Sequence, residues 1–149
     1  MKITWTIKYF SDLTTDELYK IIHLRIAVFS VEQNCVYQDL DWKDQKSFHV
    51  MGTDEQRELH AYSRIFPAGA YFKEAAIGRV ITSQKARRTG LGKTLMITSM
   101  NFVKEKYGDV PVRIGAQCYL INFYSQFGFV VDSEEYLEDN IPHVEMLKQ

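Results

Sequence analysis

The chain has 149 residues, of which 46% are hydrophobic, 13% aromatic and 25% charged, and its formal net charge is -1 at pH 7. This length and composition fit one domain over residues 1–149 and exclude disordered and collagen-like proteins. The charge lacks the positive excess typical of nucleic-acid-binding domains, so no nucleic-acid partner is expected.

The sequence predicts a cytoplasmic protein with free cysteines. Lys2 and Lys8 are too close together to enclose the apolar core of a signal peptide, and no run approaches the ~20 apolar residues of a membrane span. Cys35 and Cys118 form no CxxC pair, which favours free thiols and argues against a structural zinc site.

The first predicted elements are a strand and a helix. Residues 3–10 alternate as a strand does, and Thr14 and Glu17 have the spacing of a capping box. Apolar residues at helical spacing follow and predict a helix to about residue 30. Residues 31–46 are polar and acidic, which predicts a long loop or a broken helix.

Three β-prone segments come next, at residues 47–52, 60–66 and 75–82. Turn-forming residues separate them, which predicts an antiparallel meander. A second helix is predicted from near Gly90 to about Lys106.

The last third is predicted to contain a strand at 112–116, a short helix at 120–127, and two terminal strands near 129–134 and 143–147. The complete order predicts an α/β (α+β) fold. Its mixed sheet would have about six to seven strands and helices on both faces.

The most informative segment lies between a predicted strand and the second helix, and reads Arg87-Arg88-Thr89-Gly90-Leu91-Gly92-Lys93. Its two glycines let the backbone turn tightly and present N–H groups to a ligand. A helix N-terminus adds unpaired amides and a positive dipole end. Because Lys85 and three further cations lie within nine residues without an acid, the segment predicts an anion site rather than a solvated basic turn.

Two common phosphate motifs do not fit this segment. A Walker loop needs glycine five residues before Gly92, where Arg87 stands. The dinucleotide fingerprint fails because Leu95 occupies its third glycine position. The remaining pattern, Arg-x-x-Gly-x-Gly, resembles the pyrophosphate loop of the GNAT superfamily of acyl-CoA-dependent N-acetyltransferases.

The resemblance extends along the chain and is nearest to the ElaA-like branch of that superfamily. Five blocks resemble it in order: residues 28–39, 78–83, 115–117, 122–129 and 139–143. The sequence departs from the branch at Ser30, Val36 and Asn140, where the branch usually has an apolar residue, a proline and a glycine. These departures bear on the substrate side rather than on the cofactor side.

The resemblance implies how acetyl-CoA would be held. Strand 77–82 would carry a bulge, and strand 112–116 would splay away from it to leave a V-shaped gap. The residues implied in cofactor binding are Val80, Ile81 and Thr82 for the pantetheine arm, Arg87, Arg88, Thr89, Gly90, Leu91, Gly92 and Lys93 for the pyrophosphate, and Gln117. A dimer is also common among such relatives, so a homodimer is implied as an option.

The implied reaction is acetyl transfer to a primary amine by direct attack in a ternary complex. A lysine-like amine has a pKa of ~10.4, so its neutral form at pH 7 lies about 4.6 kcal/mol uphill. Either the substrate is a weaker amine or the site must take its proton. Glu32, acting through water, is the leading candidate, and His143 is the second. Each has a structural alternative: Glu32 could be a capping or ion-paired residue at a helix end, and His143 a hydrogen-bonded edge histidine.

Tyr124 falls at the position of the family's general acid by the same resemblance. A phenol has a pKa of ~10, so it is protonated at neutral pH and can donate a proton to a leaving thiolate. The alternative is a core aromatic residue of the short helix.

The sequence predicts no metal site. His23, His49 and His60 lack the spacing of metal ligands, and the acids at 39, 41 and 44 lack the glycine and final glutamate of a calcium loop. These acids are predicted to form a solvated face that could attract a cationic substrate.

The expected partner is a small-molecule or peptide amine. No association with a membrane is expected. Two alternatives are a non-catalytic acyl-CoA sensor or interaction module on the same fold, and a P-loop NTPase, which Arg87 disfavours.

Overall fold

Eight strands form one mixed sheet in the computed structural model, which describes residues 1–149. The strands are β1 Thr4–Tyr9, β2 Phe48–Thr53, β3 Leu59–Phe66, β4 Ala75–Thr82, β5 Val112–Gln117, β6 Val130–Val131, β7 Tyr136–Glu138 and β8 Ile141–Lys148. Their order across the sheet is β1-β2-β3-β4-β5-β8-β6, with β7 also paired to β8. The helices are α1 Thr15–Arg25, α2 Leu91–Tyr107 and α3 Ile121–Ser125.

The predicted α/β fold is confirmed. Strands β1 to β4 form the expected antiparallel meander, β4 pairs with β5 in parallel, and β5 pairs with β8 antiparallel. Helix α1 packs on one face of the sheet through Ile21 and Leu24, whereas α2 packs on the other through Leu95 and Met96. Both faces of the sheet are therefore covered.

The sheet has one strand more than predicted, because residues 136–138 form β7. A two-residue turn joins β7 to β8, and both of its residues have positive φ, 51° at Asp139 and 62° at Asn140. Such φ values suit a type I′ hairpin turn, which Asp and Asn tolerate better than most residues. The sequence Asp-Asn lacks the glycine that usually indicates this turn.

The first helix changes geometry where the sequence predicted it to continue. The capping box between Thr14 and Glu17 is present, but the α-helix ends at Arg25 and continues as a π-helix over Ile26–Glu32. π-Helices are rare and are often found at functional sites. This one delivers Phe29 and Glu32 to a cavity described below.

The acids at 39, 41 and 44 do not form the predicted solvated face. Asp39 and Asp44 are buried, and the charged partners of these acids are Arg25, Arg64 and Arg79. Arg25 joins Asp39 and Asp44, with N–O distances of 2.8 and 2.7 Å. Three carboxylates and three guanidinium groups therefore form a neutral network. The segment that carries these acids is polar in sequence. It gives no sign of their burial, because their cationic partners come from distant elements.

This network fixes the acidic segment against the sheet. Asp41 accepts two hydrogen bonds from Arg64 of β3, at 2.9 and 2.6 Å, and Asp39 accepts one from Arg79 of β4 at 2.8 Å. Tyr37 also donates to Asp39 at 3.0 Å.

None of the helices combines the length and the apolar character that a membrane span requires.

Candidate active site

A gap opens between β4 and β5 in the middle of the sheet. The two strands pair only at Ala75–Val112 and Ala76–Arg113, so the β5-facing edge of residues 77–82 has no strand partner. The space between them is a cavity of about 440 Å³ that is lined from both strands, from the π-helix and from α3. The predicted V-shaped gap is confirmed.

Strand β4 also carries the predicted bulge. Tyr62 of β3 pairs with Ile81, and Arg64 pairs with Gly78. The two pairs are two residues apart on β3 but three apart on β4, so β4 contains one extra residue. Arg79 within the bulge has a positive φ of 50°. A bulge bends its strand and redirects backbone groups, and here it does so at the wall of the cavity.

The glycine-paired segment forms a row of unpaired amides. None of the N–H groups of residues 88–93 donates a hydrogen bond within the protein, and the helix cap at Gly90 has no side-chain acceptor. Arg88 and Gly90 have positive φ values of 64° and 80°. Alternating backbone conformations of this kind form concave anion sites, and the start of the 17-residue α2 adds its positive dipole end. This donor set fits a diphosphate.

Arg87 connects this loop to the π-helix. Its guanidinium forms a two-point ion pair with Glu32, including an Nη2–Oε2 hydrogen bond of 2.7 Å, and donates to the carbonyl of Thr82 at 3.2 Å. The hydrogen bond to Glu32 raises the pKa of Arg87 above its usual range. Glu32 therefore adopts the ion-paired arrangement at a helix end that the sequence left open.

Tyr124 reaches the cavity from α3. It is only 6% exposed, and burial raises the pKa of its hydroxyl well above the usual value near 10. Its ring packs edge-on against Phe123, with centroids 5.1 Å apart, and Phe123 in turn lies against Gly92. The short helix therefore holds a protonated phenol next to the start of α2.

A cluster of hydrogen-bond acceptors, formed by Gln117, Glu138 and His143, also lines the cavity. The Nδ1 atom of His143 donates to the carbonyl of Ile141 at 2.7 Å, so Nε2 is the ring nitrogen that can accept a proton. The carboxylate of Glu138 lies 3.4 Å from Nε2. The Oε1 atom of Gln117 is buried and has no hydrogen-bond donor.

A second cavity, also of about 440 Å³, adjoins the first. It is lined in part by aromatic rings and by acidic groups, among them Tyr37, Tyr71, Asp41 and Asp139. The residues that line both cavities are Phe29, Gln33, Arg79, Gln117, Glu138 and His143. The acceptor cluster therefore stands at the junction of two spaces.

The sequence of residues 13–149 matches the acetyltransferase (GNAT) domain family. This match agrees with the open gap, the bulge and the amide row. The chain belongs to the GNAT acetyltransferase family. This GNAT protein is 40% identical to protein ElaA of Escherichia coli K12 over 149 residues, which covers 99% of this chain and 97% of that protein. The predicted ElaA-like branch is confirmed.

Solved structures agree with this membership. An acyl-CoA N-acyltransferase from Pseudomonas aeruginosa superposes with a TM-score of 0.94 at 39% identity, and E. coli ElaA with 0.92 at 39% identity; each comparison covers 99% of this chain and 100% of the other. An aminoglycoside 6′-N-acetyltransferase complexed with coenzyme A gives 0.70 at 14% identity, with 96% of both chains covered, and shares the fold.

Two features of this GNAT protein were not found from the sequence. Glu138 lies among several acids that read as surface charge, and nothing in its spacing indicates that a hairpin turns it toward His143. The second feature is a group of three side chains, Asp54, Glu58 and His60, whose possible metal-ligand atoms lie within 4.8 Å of one another. Both ring nitrogens of His60 already bond within the fold, to Ser83 at 2.7 Å and to Asp54 at 2.9 Å.

Proposed function

We propose that this protein transfers an acetyl group from acetyl-CoA to a primary amine, which attacks directly in a ternary complex. The observation that carries the proposal is the row of six unpaired amides at residues 88–93, next to the open gap between β4 and β5. Gly92 of that segment and the preceding Arg87 line the same cavity as Tyr124 and His143. An anion site and proton-transfer groups thus share one space.

The residues that would hold acetyl-CoA follow from their unpaired polar groups. The amides from Arg88 to Lys93 suit the diphosphate, and the free edge of β4 at Val80, Ile81 and Thr82 suits the amide groups of the pantetheine arm. When bound, acetyl-CoA supplies an activated thioester. The names of two structural neighbours, an acyl-CoA N-acyltransferase and an enzyme complexed with coenzyme A, support this choice of co-substrate.

Two groups of the chain suit the charges that develop during acyl transfer. The backbone N–H of Val80, in the bulge, can donate to an oxyanion without reorganising, because the strand fixes it. Ile81 is less suited because it pairs with Tyr62 of β3. Tyr124 holds its proton firmly at neutral pH and can give it to a leaving thiolate.

His143 suits the base better than Glu32 does. His143 lines the cavity, its Nε2 is the ring nitrogen that can accept a proton, and Glu138 lies where it can stabilise the imidazolium that forms. The carboxylate of Glu32 is occupied by Arg87. An ion-paired carboxylate is a weaker base because the guanidinium stabilises its charged form.

Two measurements on the purified protein test the proposal. Titration calorimetry should detect binding of acetyl-CoA and none of ATP, since the loop lacks the first glycine of a Walker motif. Acetyl-CoA with a pool of primary, secondary and aryl amines should then release free thiol. Binding without thiol release would instead indicate a non-catalytic acyl-CoA sensor.

The Tyr124→Phe variant separates the two outcomes further. We expect kcat to fall at least about tenfold while the Kd of acetyl-CoA stays the same, because the ring remains and only the proton donor is lost. Tyr107→Phe, at the far end of α2, serves as the matched control. Unchanged turnover in Tyr124→Phe would remove Tyr124 from the mechanism.

A further inference from the structure

We propose that Arg79 and Asp39 form a positioning pair, which holds the bulge of β4 so that the N–H of Val80 points at the carbonyl of the bound thioester. This inference rests on the proposed function. It adds to it two residues that act through the backbone of β4 rather than on the substrate.

The direction of the Val80 N–H depends on the backbone conformation of Arg79. Gly78 and Ile81 pair with β3 on either side, so Arg79 and Val80 together face the single residue Ser63. The N–H of Val80 belongs to the planar peptide unit that joins it to Arg79, and the dihedral angles of Arg79 orient that unit. A different conformation of Arg79 would therefore turn this donor away from the cavity that Val80 lines.

Arg79 adopts a backbone conformation that its own Cβ disfavours. Its φ of 50° lies in the left-handed region, where the Cβ comes too close to a carbonyl oxygen. Glycine is the usual residue at such a position. A residue with a Cβ keeps this conformation only where its surroundings fix it, and the side chain of Arg79 supplies such a constraint.

The guanidinium group of Arg79 is tied to Asp39 at two points. Its Nε donates to Oδ1 of Asp39 at 2.8 Å, and its Nη2 donates to the backbone carbonyl of Asp39 at 3.0 Å. The same group lies over the ring of Phe29 in the π-helix, with Cζ 5.9 Å from the ring centroid. Because the end of the side chain is held on several sides, the backbone that carries it is held as well.

Asp39 is a fixed partner for this side chain. Its Oδ2 accepts a hydrogen bond from Nε of Arg25 at 2.8 Å, and its Oδ1 accepts one from the hydroxyl of Tyr37 at 3.0 Å. Arg25 belongs to α1 and is 1% exposed. Charge-assisted hydrogen bonds are roughly twice as strong as neutral ones, so Asp39 connects the bulge to the core of the fold.

The position of Arg79 distinguishes it from the other arginines of the charge network. The side chains of Arg25 and Arg64 are each 1% exposed, whereas that of Arg79 is 21% exposed. Of the three, only Arg79 lines the first cavity. The pair of Arg79 and Asp39 therefore stands where the network meets the space in which acyl transfer is proposed.

Two substitutions at position 79 separate positioning from direct contact with a substrate. Arg79→Ala removes the ion pair and keeps a Cβ, whereas Arg79→Gly removes both, so only the second tolerates a positive φ. We expect Arg79→Ala to lower kcat at least about tenfold, since loss of an oxyanion donor costs 10²- to 10³-fold. Arg79→Gly should keep a kcat about fivefold higher than that of Arg79→Ala. If the guanidinium bound a substrate directly, both variants would lose the same contact and the same kcat.

Infrared spectra of bound acetyl-CoA, isotope-labelled at the thioester carbonyl, report on the donor without turnover. A hydrogen bond lowers the stretching frequency of a carbonyl. The band should therefore lie at a higher frequency in Arg79→Ala than in the wild type, and between the two in Arg79→Gly. Asp39→Asn removes the ion pair from its other side and should shift the band as Arg79→Ala does. If Asp39→Asn does not fold, the two variants at position 79 decide alone.

Arg57 supplies the matched control, because it is an exposed arginine with a similar φ of 66° in the turn between β2 and β3. Arg57→Ala and Arg57→Gly should leave kcat and the carbonyl band unchanged. Equal kcat in Arg79→Ala and Arg79→Gly, or a band that stays in place in Arg79→Ala, would overturn the proposal. Failure of the proposed function is a different result, seen in the wild type alone, in which no amine of the pool releases thiol from acetyl-CoA. The carbonyl band still tests the position of the Val80 N–H in that case.

Discussion

At the scale of single residues, the role of His143 depends on the partner of its other nitrogen. Because Nδ1 donates to the carbonyl of Ile141, Nε2 is the ring nitrogen that can accept a proton. Glu32 had the better position in the sequence, after the first helix, but its carboxylate is held by Arg87. The proposed choice of base between them therefore rests on hydrogen-bond partners, which a sequence does not contain.

This assignment predicts different effects for two substitutions. His143→Gln should lower kcat at pH 7 about a hundredfold, since general-base catalysis contributes 10²- to 10⁴-fold. The loss should shrink as the pH rises toward the pKa of the amine, because a neutral amine needs no base. Steady-state rates between pH 7 and 10 measure this.

Glu32→Gln is the comparison for that experiment. It should retain most of kcat and change chiefly the Kd of acetyl-CoA, because it frees Arg87 next to the anion loop. A larger loss of kcat in Glu32→Gln than in His143→Gln would return the base to Glu32.

At the scale of elements, the sequence alone was most informative about the start of α2, where it predicted an anion site. Glycines, cations and a following helix are local features, so residues 87–93 indicated an anion site without any knowledge of the fold. The gap and the bulge were implied only by the family resemblance. The cluster of Gln117, Glu138 and His143 was not predicted. Strands β5, β7 and β8 contribute one residue each, and these residues come together only in the folded sheet.

The conformation of Gly90 supports a prediction about this element. Its φ of 80° is unfavourable for any residue with a Cβ, although nothing lies within 4 Å of that position. Gly90→Ala should therefore lower the free energy of unfolding by roughly 1 kcal/mol and weaken acetyl-CoA binding, because the turn that aligns the amides relaxes. Denaturant unfolding and calorimetry measure the two effects.

Gly108, at the other end of α2, supplies the control. It also has a positive φ, 82°, with nothing within 4 Å. Gly108→Ala should lose at least as much stability but bind acetyl-CoA as the wild type does. If both variants bind equally well, the geometry of the turn at Gly90 does not matter for the ligand.

At the scale of the whole molecule, the net charge of -1 conceals six charges that bind one another around the sheet. Composition indicated a single folded domain but not this network, since its cations come from α1, β3 and β4. Asp44 is its centre: one carboxylate oxygen accepts from Arg25 at 2.7 Å and from Arg64 at 2.8 Å. Burial would raise the pKa of Asp44, but these two guanidinium groups outweigh it and lower the pKa below its usual range.

Stability should therefore depend on Asp44 and on pH in a defined direction. A carboxyl group whose pKa is lowered by folding contributes stability above its unfolded pKa, near 3.9, and loses that contribution as the pH falls toward the folded value. Asp44→Asn leaves two buried guanidinium groups without their shared partner, which should cost about 3–5 kcal/mol at pH 7. Urea unfolding of both proteins should give a difference that narrows below about pH 4, where the wild type loses the same charge. Asp109→Asn, at an exposed loop position, should change stability by less than about 0.5 kcal/mol. If the two variants are equally stable at pH 7, the network orders the segment around Asp39 and Asp41 without stabilising the fold.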